Sequence, residues 1–228
     1  MTTHLLTGAT SGIGAALAAA LHRRGDDLVL IARDAATASV LGERFAGATV
    51  HIADLERPES MGPALADRMP SRLDGLLHVA GVVDLGPVAR LTAAEWRRTL
   101  AVNLAAPAEL TRLALPALRR GRGRIVFVNS GAGLAASPEW SAYAASKFGL
   151  RALADAVRAE ERANGVRVTS VFPGRTATPM QARVHEQEGA AYDAEAWIRP
   201  ESVVTAILTA LDLPRDADLT DVRVRPGR

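Results

Sequence analysis

Tyr143 and Lys147 stand four residues apart in "SAYAASKFGL" (141–150), and Lys147 is the only lysine in a chain otherwise supplied with arginine. On a helix, residues i and i+4 share a face, with Cβ atoms roughly 5–6 Å apart. A free tyrosine has a pKa of about 10 and handles protons poorly at neutral pH. A neighbouring ammonium stabilises the phenolate and lowers that pKa. Arginine would also bring charge, but lysine is a compact point charge with three rotatable donors on a flexible stem. The pair therefore reads as a proton donor and acceptor with its activating cation.

A second chemical feature opens the chain. "TGATSGIGAAL" follows the apolar run "HLLTG" and leads into residues spaced as an amphipathic helix. A glycine-rich turn at a helix start brings backbone N–H groups and the favourable end of the helix dipole to a pyrophosphate. The loop residues Gly8, Thr10, Ser11, Gly12, Ile13 and Gly14 are the candidate cofactor cradle, with Gly8 allowing the tight turn.

These groups need a frame. Apolar, often β-branched runs lie at 4–8, 27–32, 48–54, 75–81, 124–130 and 166–174, and helical patterns separate them. That alternation predicts βαβ units and a parallel sheet, and near-continuous apolar strands predict helices on both faces. Residues 141–164 read as a helix, a further helix is expected at about 201–211, and "TDVRVRP" supplies a seventh strand. We read one doubly wound, Rossmann-like α/β domain with a mostly parallel seven-stranded sheet. A substrate-covering lid is expected at about 175–200. Ligands of such a sheet bind outside the carboxyl ends of its strands.

Composition excludes several classes. There is no cysteine, so disulfides and thiol catalysis are out, and a reducing, cytoplasmic setting is expected. The histidines are scattered singly, which predicts no metal site. No run approaches a membrane span, and the opening residues lack the pattern of a signal peptide. The net charge is only +2, with acids and bases interleaved. "RRGRGR" (119–124) reads as a solvated turn between a helix and a strand, and no nucleic-acid partner is expected.

Taken in order, the motifs resemble those of the short-chain dehydrogenase/reductase family along essentially the whole chain. They comprise T-G-x-x-x-G-x-G at the first turn, Asp54–Leu55 after the third strand and Ala80–Gly81 after the fourth. Asn103 in "VNL", Ser130 at the end of the fifth strand, Y-x-x-x-K at Tyr143 and Lys147, and Pro173–Gly174 with Thr178 after the sixth complete the set. The resemblance implies a catalytic set of Asn103, Ser130, Tyr143 and Lys147. Ser130 would bond the substrate carbonyl and Tyr143 would give or take its proton. Lys147 would hold the cofactor ribose, and Asn103 a water linking Lys147 to solvent. Cofactor contacts would extend to Thr176 and to Thr178, which would fix the nicotinamide carboxamide. One departure is visible: His78–Val79 stands where the family has Asn-Asn, and His78 reads as a packed strand residue.

The second strand ends Ala32–Arg33. An acidic residue there would favour NAD, whereas Arg33 can take the 2′-phosphate of NADP, so NADP(H) is expected over NAD(H). Asp34 would serve as a first-turn charge of the next helix. Leu134, Trp140, Met180 and Trp197 are candidates for an apolar substrate pocket, and Trp197 reads equally well as a pin for the lid. The expected function is carbonyl–alcohol interconversion on a small molecule. The alternative is a non-catalytic NADP(H)-binding redox sensor. A homodimer or homotetramer is expected, paired through helices at about 102–118 and 141–164, whose leucines (Leu104, Leu110, Leu113, Leu150 and Leu153) exceed what one sheet face needs.

Overall fold

The computed structural model describes residues 1–227. Seven strands form one parallel sheet: β1 Thr3–Thr7, β2 Asp27–Ala32, β3 Thr49–Ile52, β4 Gly75–His78, β5 Arg124–Val128, β6 Arg167–Pro173 and β7 Asp221–Val224. Their order across the sheet is β3-β2-β1-β4-β5-β6-β7, so it reverses direction after β1. Among the described residues eight α-helices connect them: α1 Gly12–Arg23, α2 Ala35–Arg44, α3 Met61–Leu65, α4 Ala93–Leu100, α5 Ala106–Gly121, α6 Ser141–Glu161, α7 Pro179–Gln187 and α8 Pro200–Asp212. Among the described residues no helix is long and apolar enough to cross a membrane.

Strand alternation divides the core into two layers. Leu5, Leu76, Ile125, Phe127 and Val168 face α3, α5 and α6. Leu6, Leu30, Leu77, Val126 and Val171 face α1, α2 and α8. Both faces are covered, as the unbroken apolar strands require.

Several strands are shorter than their apolar runs. Ala53–Asp54, Val79–Gly81 and Asn129–Ser130 lie past the strand ends and line the crevice. The helix expected at about 102–118 instead starts at Ala93. Thr92 and Glu95 form a reciprocal capping box that fixes that start. A π turn at Ala101–Ala105 interrupts it, and α5 runs on to Gly121, where Arg122 closes the helix at φ +49°. The leucines assigned to subunit pairing are used inside the chain. Leu110 and Leu150 are fully buried, while Leu104, Leu113 and Leu153 pack partly buried on the same core. In "RRGRGR", Arg119 makes a two-point contact to Glu161 at 2.9 and 2.6 Å.

Candidate active site

The carboxyl ends of the strands surround a cleft of about 940 Å³, the size of a dinucleotide and a small partner together. Every sequence-predicted site residue lines it except Asn103 and Trp197.

One end is the β1–α1 turn. Gly8 has φ +79°, and a Cβ there would stand 2.7 Å from the amide nitrogen of Ala80. A Cβ on Gly14 would run into the Gly8 carbonyl oxygen, so the turn can close onto the helix only with glycine at both places. Ser11 occupies the N-cap of α1 but makes no side-chain cap, leaving the first-turn N–H groups open to the cleft. Bare backbone donors at a helix start suit a pyrophosphate. Arg33 is largely exposed at the end of β2, with its Nε 3.2 Å from Asp34. Asp34 is the N-cap of α2 rather than a first-turn charge, and accepts from Thr37 N at 2.8 Å. That backbone hydrogen bond, the Thr37 hydroxyl and Arg33 hold its carboxyl down to about 2.

The other end holds the proton chemistry. Tyr143 and Lys147 lie on one face of α6, both buried. Lys147 Nζ donates to Val128 O at 3.0 Å and stands 5.7 Å from the phenol ring centroid. The expected lowering of the tyrosine pKa is absent in this arrangement. Burial raises the phenol above 10, and only the Ser130 hydroxyl pulls the other way. Burial also lowers Lys147 to about 8. The reason is desolvation: both groups are removed from water, and the ammonium spends its hydrogen bond on a carbonyl rather than on the phenol.

Asn103 sits in the π turn. Its Oδ1 accepts from Val82 N at 2.9 Å, and its Nδ2 donates to Val82 O at 2.9 Å and Ser146 Oγ at 3.0 Å. It clamps the loop after β4 to α6. Thr178 caps α7 by accepting from Gln181 N at 3.2 Å. Trp140 packs edge-on to Tyr143, ring centroids 5.7 Å apart. Glu139, at φ +68°, makes the turn that places it there. Leu134 and Met180 share that wall, whereas Trp197 lies off it, packed against His185 at 5.3 Å.

The His78–Val79 departure has a local answer. His78 stacks on Phe127 at 4.8 Å, hydrogen-bonds Thr111 Oγ1 at 3.0 Å, and is held neutral, its pKa lowered by burial to about 3. Thr7 Oγ1 accepts from both Val79 N and Ala80 N at 3.2 Å, tying β1 to the end of β4.

Two residues at the site escaped the motif reading. Asn129 is buried between the candidate catalytic groups: its Nδ2 donates to Lys147 O at 3.0 Å and its Oδ1 accepts from Ser130 N at 2.9 Å. An asparagine at a strand end reads as turn chemistry, and only its place beside Ser130 hinted at more. Arg98 bridges Glu56 at 2.9 Å and Asp84 at 2.7 Å on the cleft rim, a join of distant segments that no local pattern signals.

A doubly wound sheet with this cleft is the frame of a dinucleotide oxidoreductase. The chain belongs to the short-chain dehydrogenase family, whose sequence profile matches residues 2–189. It is similar to the D-beta-hydroxybutyrate dehydrogenase of Rhizobium meliloti, 35% identical over 188 residues, covering 78% of this chain and 72% of that one. It is 32% identical to the glycine betaine reductase ATRR of Emericella nidulans over 97% of this chain, which spans only 18% of that protein's length. Among solved structures, a short chain dehydrogenase of Escherichia coli CFT073 complexed with NADPH superposes with a TM-score of 0.85 at 28% identity, covering 99% of this chain and 97% of that one. A metagenomic short-chain oxidoreductase in complex with NADP gives 0.80 at 30% identity, covering 100% and 97%.

Proposed function

We propose that the protein is an NADP(H)-dependent oxidoreductase that interconverts a carbonyl and an alcohol, using Ser130, Tyr143, Lys147 and Asn103. The observation that carries the reading is the juxtaposition of buried Tyr143 and Lys147, with Ser130 beside the phenol, on the wall of a cleft whose far end is an uncapped helix start. The bound cofactor supplies or accepts the hydride. The chain's own residues handle position and proton. Ser130 Oγ donates to the substrate oxygen, and the Tyr143 phenol delivers the proton to that same oxygen. Burial raises the phenol's pKa, so in the empty cleft Tyr143 is protonated but a weak acid, and it gains its driving force as a donor when cofactor and substrate are bound. In the oxidative direction Tyr143 must first lose its proton. Asn103 acts by fixing Val82 and Ser146, which holds the loop after β4 against α6 beside Lys147.

Arg33 supports the preference for NADP(H): it is the cation at the end of β2, free to swing from Asp34 to a 2′-phosphate. The neighbours solved with NADPH and NADP agree with it. Leu134, Trp140 and Met180 form the apolar wall for the substrate, and the segment at about 175–200 covers it. The test is NADPH oxidation against a panel of ketones and aldehydes with wild type and Tyr143→Phe. Wild type should turn over some of the panel. The variant, lacking only the titrating oxygen, should bind NADPH normally and lose nearly all turnover. NADPH binding without turnover of any carbonyl would favour the redox-sensor reading instead.

A further inference from the structure

The cleft has a second cationic region, at the end away from Arg33. Arg33 stands at the end of β2, whereas Arg175 lies two residues past β6, and Arg223 and Arg225 lie on and just after β7. All four line the cleft. From β2 to β6 is four strand spacings, roughly 19 Å, and from the β1 turn that takes the pyrophosphate to β6 is roughly 14 Å. The cluster at β6–β7 therefore sits beyond the cofactor's phosphates, at the substrate end.

Its geometry is specific. Arg175 donates from both terminal nitrogens to Glu188, at 2.7 and 2.6 Å. Its guanidinium carbon lies 5.9 Å from the Trp140 ring centroid and 5.5 Å from that of Trp197. Trp140 in turn packs on Tyr143, so the guanidinium stands one indole away from the phenol. Arg223 is the register partner of Phe172, itself a cleft residue. Among the described residues neither Arg223 nor Arg225 has a carboxylate within ion-pair reach. Of the three arginines at this end of the cleft, only Arg175 is ion-paired, to Glu188.

The Arg175–Glu188 fork is the two-point pattern by which arginine holds any carboxylate. The two indoles keep the guanidinium in place whichever acid it holds. Glu188 is the C-cap of α7, followed by Gly189 at φ +65°, so it sits where the backbone turns out of the helix. An incoming carboxylate that displaced Glu188 would restore both hydrogen bonds, whereas a neutral group would leave the guanidinium less well satisfied.

We propose that the substrate is an oxo acid, or the matching hydroxy acid, whose carboxylate takes the place of Glu188 on Arg175 while its carbonyl meets Ser130 and Tyr143. The apolar stretch between the two groups runs along Trp140, and Arg223 and Arg225 attract the anion. This assignment rests on the oxidoreductase reading above and narrows it to a substrate class.

The experiment compares 4-oxo-4-phenylbutanoate with its methyl ester, which share the ketone and differ in charge. Wild type should show a kcat/KM for the acid higher by about tenfold or more, the fold-change of one charge-assisted hydrogen bond. Arg175→Met should bring the acid-to-ester ratio to about one, and Glu188→Gln should raise it, by the loss of the guanidinium and of its competitor respectively. Equal kcat/KM for acid and ester in wild type, or Arg175→Met lowering both alike, overturns the proposal. Calorimetric titration of the NADP⁺-loaded protein with the same pair makes the comparison without turnover. Tighter binding of the acid with no reduction of either compound supports the acid site, and only together with no turnover of any carbonyl in the panel does it sink the oxidoreductase reading. Equal binding, or no binding of the acid, overturns the acid site even if the ester is reduced.

Discussion

Lys147→Met should make the empty protein more stable while abolishing its activity. Lys147 is 3% exposed, its ammonium has one partner, the carbonyl oxygen of Val128, and burial alone lowers its pKa from 10.5 to about 8. At 1.36 kcal/mol per unit, the fold bears a cost of about 3 kcal/mol for keeping that charge at neutral pH. Losing the hydrogen bond and leaving its acceptor returns about 1–2 kcal/mol of that. Methionine is close in volume and carries no charge, so the net gain is about 1–2 kcal/mol, worth a few degrees in Tm at about 2–4 °C per kcal/mol for a chain of this size. The sign with pH follows from proton counts. Between pH 8 and 10.5 the folded wild type binds fewer protons than the unfolded chain, so its stability rises with pH across that window. The variant's advantage is therefore full below pH 8 and passes through zero before pH 10.5, because the roughly 3 kcal/mol that wild type regains over that window exceeds the net gain. Denaturant melts of both proteins without cofactor at pH 7 and pH 10 measure it, because other titrations are common to both and cancel in the difference. A variant less stable than wild type at pH 7, or an advantage that grows with pH, would refute the reasoning. Lys147→Arg separates charge from chemistry. It keeps a buried cation at every accessible pH, so it should gain no stability, and its broader fork should still lose most turnover and weaken NADPH binding.

Arg33→Ala should weaken NADPH much more than NADH, by about 1.5–3 kcal/mol for one charge-assisted contact to phosphate, and equal weakening of both in fluorescence titrations would show that Arg33 does not read the 2′-phosphate. Assembly into a dimer or tetramer should appear in light scattering at micromolar concentration. A 24.0 kDa particle would refute it, and since the five leucines first assigned to pairing serve the core, partly exposed Phe148 on α6 is the better marker of such a contact.

What the sequence made legible was order and placement. Alternating apolar runs and helical spacing specify the parallel sheet, because burial of both sheet faces forces that pattern. The T-G-x-x-x-G-x-G turn specifies its own closure, since only glycine fits at Gly8 and Gly14. Local spacing likewise puts Tyr143 and Lys147 on one face of α6. What escaped depends on groups far apart in the chain. The capping box at Thr92 moved a helix start that the leucine pattern had placed later. Asn129 matters because it meets both Ser130 and Lys147, and Trp197 drops off the cleft wall because His185 takes its ring. The tyrosine pKa shows the limit most sharply. Spacing alone brings the ammonium near and predicts a lowered value, but the sign is decided by where each group spends its hydrogen bonds and how much water it loses. Lys147 donates its hydrogen bond to Val128 O, and burial lifts the pKa of Tyr143. A motif can therefore name the proton donor while leaving its driving force to be set when cofactor and substrate fill the cleft, and the pH–rate profile of the loaded enzyme, compared with the titration of Tyr143 in the empty one, measures how much of the activation the protein supplies by itself.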